Sequence, residues 1–201
     1  MNTKKSSKRN GMKWIIGGLL LLAAAFFLIS YNLWEGQQAG NAAGQVLEQL
    51  TQAMKQQPED VPDYLEHPEM EMPTLEVEGN QYIGTLEIPA LGLTLPVMSQ
   101  WSYPKLRIAP CRYAGSAYQE GFVIAAHNYS SHFGNLNQLS SGDRIYFTDV
   151  TGNQFSYRVA EVEELNPTAL EEMVNEGWDL SLFTCTLSGQ ARVTVRCEKT
   201  G

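Results

Sequence analysis

The sequence predicts an all-β domain with short helices, a closed barrel of seven or eight strands, preceded by an N-terminal transmembrane helix. Two observations carry this expectation. Between residues 82 and 197 short β-type runs alternate with turn residues, the pattern of a sandwich or barrel. Ahead of them lies one uncharged apolar run, residues 14–34. A chain of 201 residues has room for one ordinary domain plus extras.

The formal charge of −8 is unevenly spread. Lys4, Lys5, Lys8, Arg9 and Lys13 all precede the apolar run, leaving 9 basic against 22 acidic residues, a balance of −13, for the remainder. Phosphate neutralisation is the main affinity term for nucleic acid, so an acidic body without a basic stripe argues against that partner.

Residues 1–13 read as a basic cytoplasmic tail and 14–34 (WIIGGLLLLAAAFFLISYNLW) as the transmembrane helix. At 1.5 Å per residue this run spans the roughly 30 Å hydrocarbon core, and its apolar length exceeds that of a cleaved signal peptide. Trp14, Tyr31 and Trp34 sit where interfacial aromatics belong, and the basic tail places the N-terminus inside and all that follows outside. The expected location is thus the cell membrane, single-pass, with lipid as partner of the anchor. Residues 35–80 read as an extracellular helix and linker. Val46, Leu47, Leu50 and Met54 share one helical face within 41–57, while 58–80 hold four prolines and eight acidic residues, a composition suited to a linker or to a strap laid over the domain. His67, in this stretch, reads as solvated.

The domain of interest spans 81–201. Its expected strands are 82–88, 93–97, 121–126, 143–149, 154–165, 180–185 and 191–197, with a hairpin turn at 151–154 and single helical turns at 133–139 and 167–174. Cys185 ends the run LSLFTC, and a loop of about six residues precedes the next strand, which Arg192 opens. If the two strands pair as a hairpin, Arg192 returns beside Cys185, whereas Arg196 is displaced by about 13 Å at roughly 3.3 Å per residue. A thiol reacts as its thiolate, and a permanent positive charge alongside favours that form and can bind an oxyanion. His127 closes the apolar run GFVIAA, a placement suited to general acid–base work at a cleft. His132 reads as a surface loop residue. The three cysteines, Cys111, Cys185 and Cys197, are an odd number and cannot all pair within the chain. No short paired spacing of zinc ligands occurs, and no metal or cofactor is expected.

These segments resemble the sortase family. YIGTLEIPALGLTLPV is similar to its opening strands, GFVIAAHNYSSHFGNLNQLSSGDRIYF to its histidine segment, and LSLFTCTLSGQARVTV to its Thr-Cys strand and following Arg strand, in the family's order. The resemblance implies the sortase barrel, with His127, Cys185 and Arg192 as catalytic residues and Thr184 and Asn128 near the substrate. It also implies a cysteine transpeptidase that cleaves a C-terminal LPXTG-like sorting signal of a surface protein through a thioester. An amine of peptidoglycan or of a pilin subunit would then take up the acyl group, and residues 166–179 would lie near the signal. Cys111 and Arg112 stand where many relatives carry a Gly-x-Gly-His-like segment, and the subclass, B-like or D-like, stays open. Cys111 and Cys197 are either a disulfide or two idle thiols. Two other classes fit the residues less fully: a membrane-tethered binding module with a structural Cys185, and a cysteine hydrolase in which water replaces the amine.

Overall fold

The computed structural model describes residues 6–55, 63–175 and 177–200. Helix α1 runs from Ser6 to Met54 without interruption, so the two helical stretches read from the sequence belong to one element. The polar stretch EGQQAG between them, with its two glycines, reads as a break, yet Glu, Gln and Ala are good helix formers and the ladder continues through it. The chain divides into two compact units, up to Gln38 and from Ala39 on. In the first, the helix has an apolar window with a mean hydropathy of 2.2, long enough to cross a membrane and with none of it buried.

The second unit is a barrel. Its strands are β1 (Leu75–Val77), β2 (Asn80–Ile88), β3 (Leu93–Met98), β4 (Cys111–Ala114), β5 (Phe122–Ala125), β6 (Arg144–Asp149), β7 (Gln154–Leu165), β8 (Leu180–Cys185) and β9 (Arg192–Lys199), with short helices α2 (Tyr103–Leu106) and α3 (Leu170–Asn175). Among the described residues the sheet order is β1-β2-β3-β4-β5-β8-β9-β7-β6, and β2 also pairs with β6. Eight strands therefore close on themselves, as expected, and β1 lies outside as a hairpin partner of β2. Two neighbouring pairs are parallel, β3–β4 and β5–β8.

Strands β1 and β4 and helix α2 were not expected from the pattern. β4 (CRYA) carries an arginine and is only four residues long, and β1 lies inside the acidic Pro-rich stretch. From residue 63 on, that stretch is a strap. Tyr64 stacks on Tyr118 at 4.7 Å, Met72 is buried, and Leu75 and Val77 pack on the outer side of the sheet. His67 is exposed, as expected, beside Glu69.

β5 is covered on both sides. Phe122 and Ile124 belong to the barrel interior, together with Ile83, Leu86, Phe147 and Leu182. Ala125 packs under α1, and Val123 under residues of the β7–β8 connection. A strand buried on both faces reads as a continuous apolar run, which is why GFVIAA lacks alternation. Within the second unit α1 lays Ala39, Ala43, Val46 and Leu50 against the domain, each at most 4% exposed. Val46 and Leu50 together contribute roughly 3–6 kcal/mol of burial.

The β6–β7 turn at 151–153 is built on Asp149. This fully buried carboxylate accepts from the Tyr118 hydroxyl at 2.8 Å, from Thr151 N–H and hydroxyl, and from Asn153 N–H and side-chain amide. Barrel closure depends on Gly84, which sits at the irregularity in the β2–β3 register and pairs with Asp149 across β2–β6. A Cβ there would lie 2.1 Å from the Thr148 carbonyl oxygen. Gly84→Ala is expected to lower stability by about 2 kcal/mol or more, read as a reduced denaturant midpoint of the full chain in detergent, whereas Gly142→Ala, where nothing lies within 4 Å, tests for the smaller cost of its positive φ alone.

Candidate active site

The parallel pairing of β5 with β8 sets the positions of two of the three expected catalytic side chains. Its register matches Phe122 with Leu180 and Ala125 with Phe183. Beyond the ladder the match continues: Ala126 N–H donates to the Phe183 carbonyl, and the Thr184 hydroxyl donates to the Ala126 carbonyl at 2.9 Å across an offset of 58 residues. The same offset brings His127 level with Cys185. On the other side of β8, the antiparallel β9 pairs Cys185 directly with Arg192. Opposed residues of this kind have Cβ atoms about 4.5–5.5 Å apart, and neighbouring strands lie about 4.8 Å apart. Cys185 and Arg192 thus oppose each other on β8 and β9, and His127 lies two residues past the end of the neighbouring β5, all three half-buried at one rim of the barrel.

The loop after His127 is tightly wound. Phe133 N–H donates to the His127 carbonyl, and His132 and Gly134 N–H groups both donate to the Tyr129 carbonyl. Phe133 and Leu136 plug the barrel interior, so the loop is pinned on its inner side by apolar burial. The rings of His127 and Tyr129 lie 5.0 Å apart, those of Tyr129 and His132 5.6 Å apart.

A groove of about 390 Å³ opens at this rim. Three expected residues line it: Cys185, Thr184 and Asn128. Thr184 is buried and its hydroxyl is engaged by Ala126, which makes it a tie between the two strands. Asn137, Glu164 and the exposed Leu187 also line the groove and were missed in the sequence. Glu164 follows from strand register, since it opposes Val193; Asn137 and Leu187 lie in loops, where no periodicity marks them. His127 and Arg192 flank Cys185 outside the lining of this groove.

Arg196, four positions beyond Arg192, is almost fully buried. Its guanidinium donates to Glu163 at 2.7 Å, to the Ser181 hydroxyl at 3.0 Å and to the carbonyls of Glu172 and Met173. These contacts fasten α3 and the β7–β8 connection to the outer face of β8 and β9.

His132 departs from expectation. It is fully buried, not a surface residue, because the loop tucks it beneath α1. Among the described residues neither ring nitrogen has a hydrogen-bond partner of good geometry, although the Ala39 backbone lies close enough to act on the ring. Burial lowers its pKa from the ordinary 6.5 to about 4, and His127 pushes the same way. The unfolded chain therefore takes up a proton between those values that the folded chain refuses, and stability is lost as pH falls from about 6.5 towards 4. His132→Gln is expected to flatten this slope in unfolding titrations at pH 7 and pH 5, whatever its effect at pH 7 alone.

The three cysteines are all free. Cys111 and Cys197 are completely buried on separate strands, and burial pushes the Cys111 thiol up to about 12 and the Cys197 thiol up as well. A maleimide at neutral pH is expected to label Cys185 in the folded chain and all three after unfolding; peptide mass mapping reads the difference. Among the described residues no group of three or more His, Cys, Asp or Glu is placed to hold a metal ion.

The model of the Sortase domain matches residues 86–200, more than half of the chain. The chain belongs to the sortase family. That family comprises cysteine transpeptidases, and the match covers β5, β8 and β9 with all three rim residues. A curated relative, Sortase A of Bacillus anthracis, is 26% identical over 182 residues and covers 85% of each chain. Among solved structures, a Clostridium perfringens sortase D5 transpeptidase superimposes with a TM-score of 0.62 at 20% identity, covering 80% of this chain and 99% of its own. Streptococcus pneumoniae sortase C does so with a TM-score of 0.55 at 22% identity, over 83% and 89%. Both likenesses extend the closed barrel across the sortase fold.

Proposed function

We propose that this sortase cleaves a C-terminal LPXTG-like sorting signal of a surface protein and transfers the protein to an amine of the cell wall or of a pilin subunit. The observation that carries the proposal is the direct opposition of Cys185 and Arg192 across β8–β9, with the end of β5 bringing His127 level on the other side.

Cys185, as thiolate, attacks a backbone carbonyl of the signal. The Sγ–C bond forms, the amide C–N bond breaks, and His127 gives its proton to the departing amine. The downstream segment leaves and the upstream protein stays as a thioester. An incoming primary amine, losing its proton to His127, attacks the thioester carbonyl and regenerates the thiolate. Arg192, a fixed cation with a planar fork of donors, holds the substrate carbonyl and the oxyanion that forms on it. Asn128 lies at the substrate's edge of the groove, and Thr184 keeps β5 and β8 locked while the acyl group is carried. The connection 166–179, fastened at α3 by Arg196, lies near the signal and helps to set specificity. The five basic residues of the N-terminus support an anchor with its N-terminus cytoplasmic and the barrel outside.

The deciding experiment incubates the full chain in detergent, wild type and Cys185→Ala, with LPXTG-like peptides and reads intact mass. Wild type is expected to gain the mass of the peptide's N-terminal fragment and Cys185→Ala to gain none. Arg192→Ala is expected to lower kcat/KM on the order of 10²–10³-fold. Adding an amine should speed turnover and give a coupled product; turnover with hydrolysis alone would point to a hydrolase. No adduct on a folded chain with an alkylatable Cys185 would remove the transpeptidase mechanism and leave a binding module.

A further inference from the structure

Helix α1 meets the domain next to the His127 loop, at its small residues. Ala39 and Ala43 are at most 4% exposed. Between them Gly40 lies so close to the loop that a Cβ on it would stand 2.9 Å from the Ser131 Cβ and 3.3 Å from its hydroxyl. Real Cβ atoms do not approach to that distance. One turn later Gly44 has nothing within 4 Å. Glycine inside a helix costs about 1 kcal/mol against alanine, so position 40 gives up helix stability where contact demands it.

Under the same turn of helix lies His132, fully buried, with the Ala39 backbone close to its ring but no hydrogen bond of good geometry to either ring nitrogen among the described residues. Burying a polar group in this way is unfavourable. The loop's own hydrogen bonds, from His132 and Gly134 to the Tyr129 carbonyl and from Phe133 to the His127 carbonyl, tie it into one turn that includes His127. Phe133 in the core holds that turn from inside, and α1 covers it from outside.

We infer that the helix segment Ala39–Ala43 is a positioning element of the reaction, seating Ser131 and His132 so that the turn carrying His127 stays level with Cys185. The inference rests on the catalytic reading of His127 given above. The helix touches no reacting atom. It acts through the turn, and displacement of a catalytic group by about 1 Å costs on the order of a hundredfold in rate. The device belongs to this chain's own residues: a glycine for close approach and, one residue after the serine it meets, a histidine that needs covering.

The test compares the full chain in detergent with Gly40→Leu, Gly44→Leu, Gly40→Ala, Ser131→Gly and the Gly40→Ala/Ser131→Gly pair. Three readouts are taken: kcat and KM for peptide turnover, the pH profile of kcat/KM, and amide hydrogen exchange at residues 132–134. Gly40→Leu is expected to lose ten- to a hundredfold in kcat with KM little changed, to shift the histidine limb of the pH profile, and to exchange faster at those three amides. Gly44→Leu should match wild type, and Ser131→Gly, which removes the opposing Cβ, should restore Gly40→Ala to the level of Ser131→Gly alone. A Gly40→Leu chain that exchanges and turns over like wild type overturns the inference, as does loss of activity that Gly44→Leu shares equally. Exchange also separates the two readings. A wild type that forms no thioester, while Gly40→Leu alone loosens the turn, sinks the proposed function and leaves the seat standing.

Discussion

The parallel pairing of β5 with β8 is the constraint on which the rest of the site depends. Two strands 58 residues apart in sequence must lie side by side in one register before His127 and Cys185 can be level. Parallel neighbours need their faces covered, and here both are: the barrel interior on one side, α1 and the β7–β8 connection on the other. Because side chains alternate, a slip of one residue would send His127 and Cys185 to opposite faces. The register is locked by buried Phe122, Ile124, Leu180 and Leu182 along the ladder and by the Thr184 hydroxyl at its end.

Charge is placed around this frame with care for its desolvation. Asp149 is sealed from water but accepts five hydrogen bonds, so its burial is compensated and a tight turn gains a fixed centre. Arg196 is sealed as well, and its donors meet a carboxylate, a hydroxyl and two carbonyls. Breaking such a pair leaves a stranded charge, which is why a buried cation can hold a connection whose own contacts are few. Arg192, by contrast, stays half-buried at the rim, where its charge remains available to a ligand.

Much of this was legible in the residues. Seven strands emerge from alternation and turn chemistry, and the Cys185–Arg192 opposition follows from a hairpin with a short loop, which the register bears out. The continuous apolar run of β5 announces a strand covered on both sides without saying by what. Local pattern could not reveal coverage from a distance. Gly40 looks like a weak helix residue until Ser131 is seen against it; His132, beside a serine and a phenylalanine in a polar loop, carries no mark of burial. Arg196 looked like a more distant version of Arg192, and its use as a buried anchor depends on carbonyls at the end of α3, more than twenty residues away. The choice between linker and strap stays open in the sequence for a related reason: Tyr64, Met72 and Val77 are sparse among acidic residues, and only the grooves they fill make them a unit.

The strand order also bears on how the chain acquires its reactivity. α1 is the first element in the chain and β9 the last, yet the rim joins β5 to β8 and β9, and the helix must wait for β2 to β5 before it has a surface to cover. Contacts of such long sequence separation are slow to form, since their closure entropy is spent before any burial offsets it. No partial fold of this chain can bring the thiol, the imidazole and the guanidinium together. On the mechanism proposed above, a newly made copy is chemically silent until its last strand is in place, and the closure that completes the barrel also completes the site.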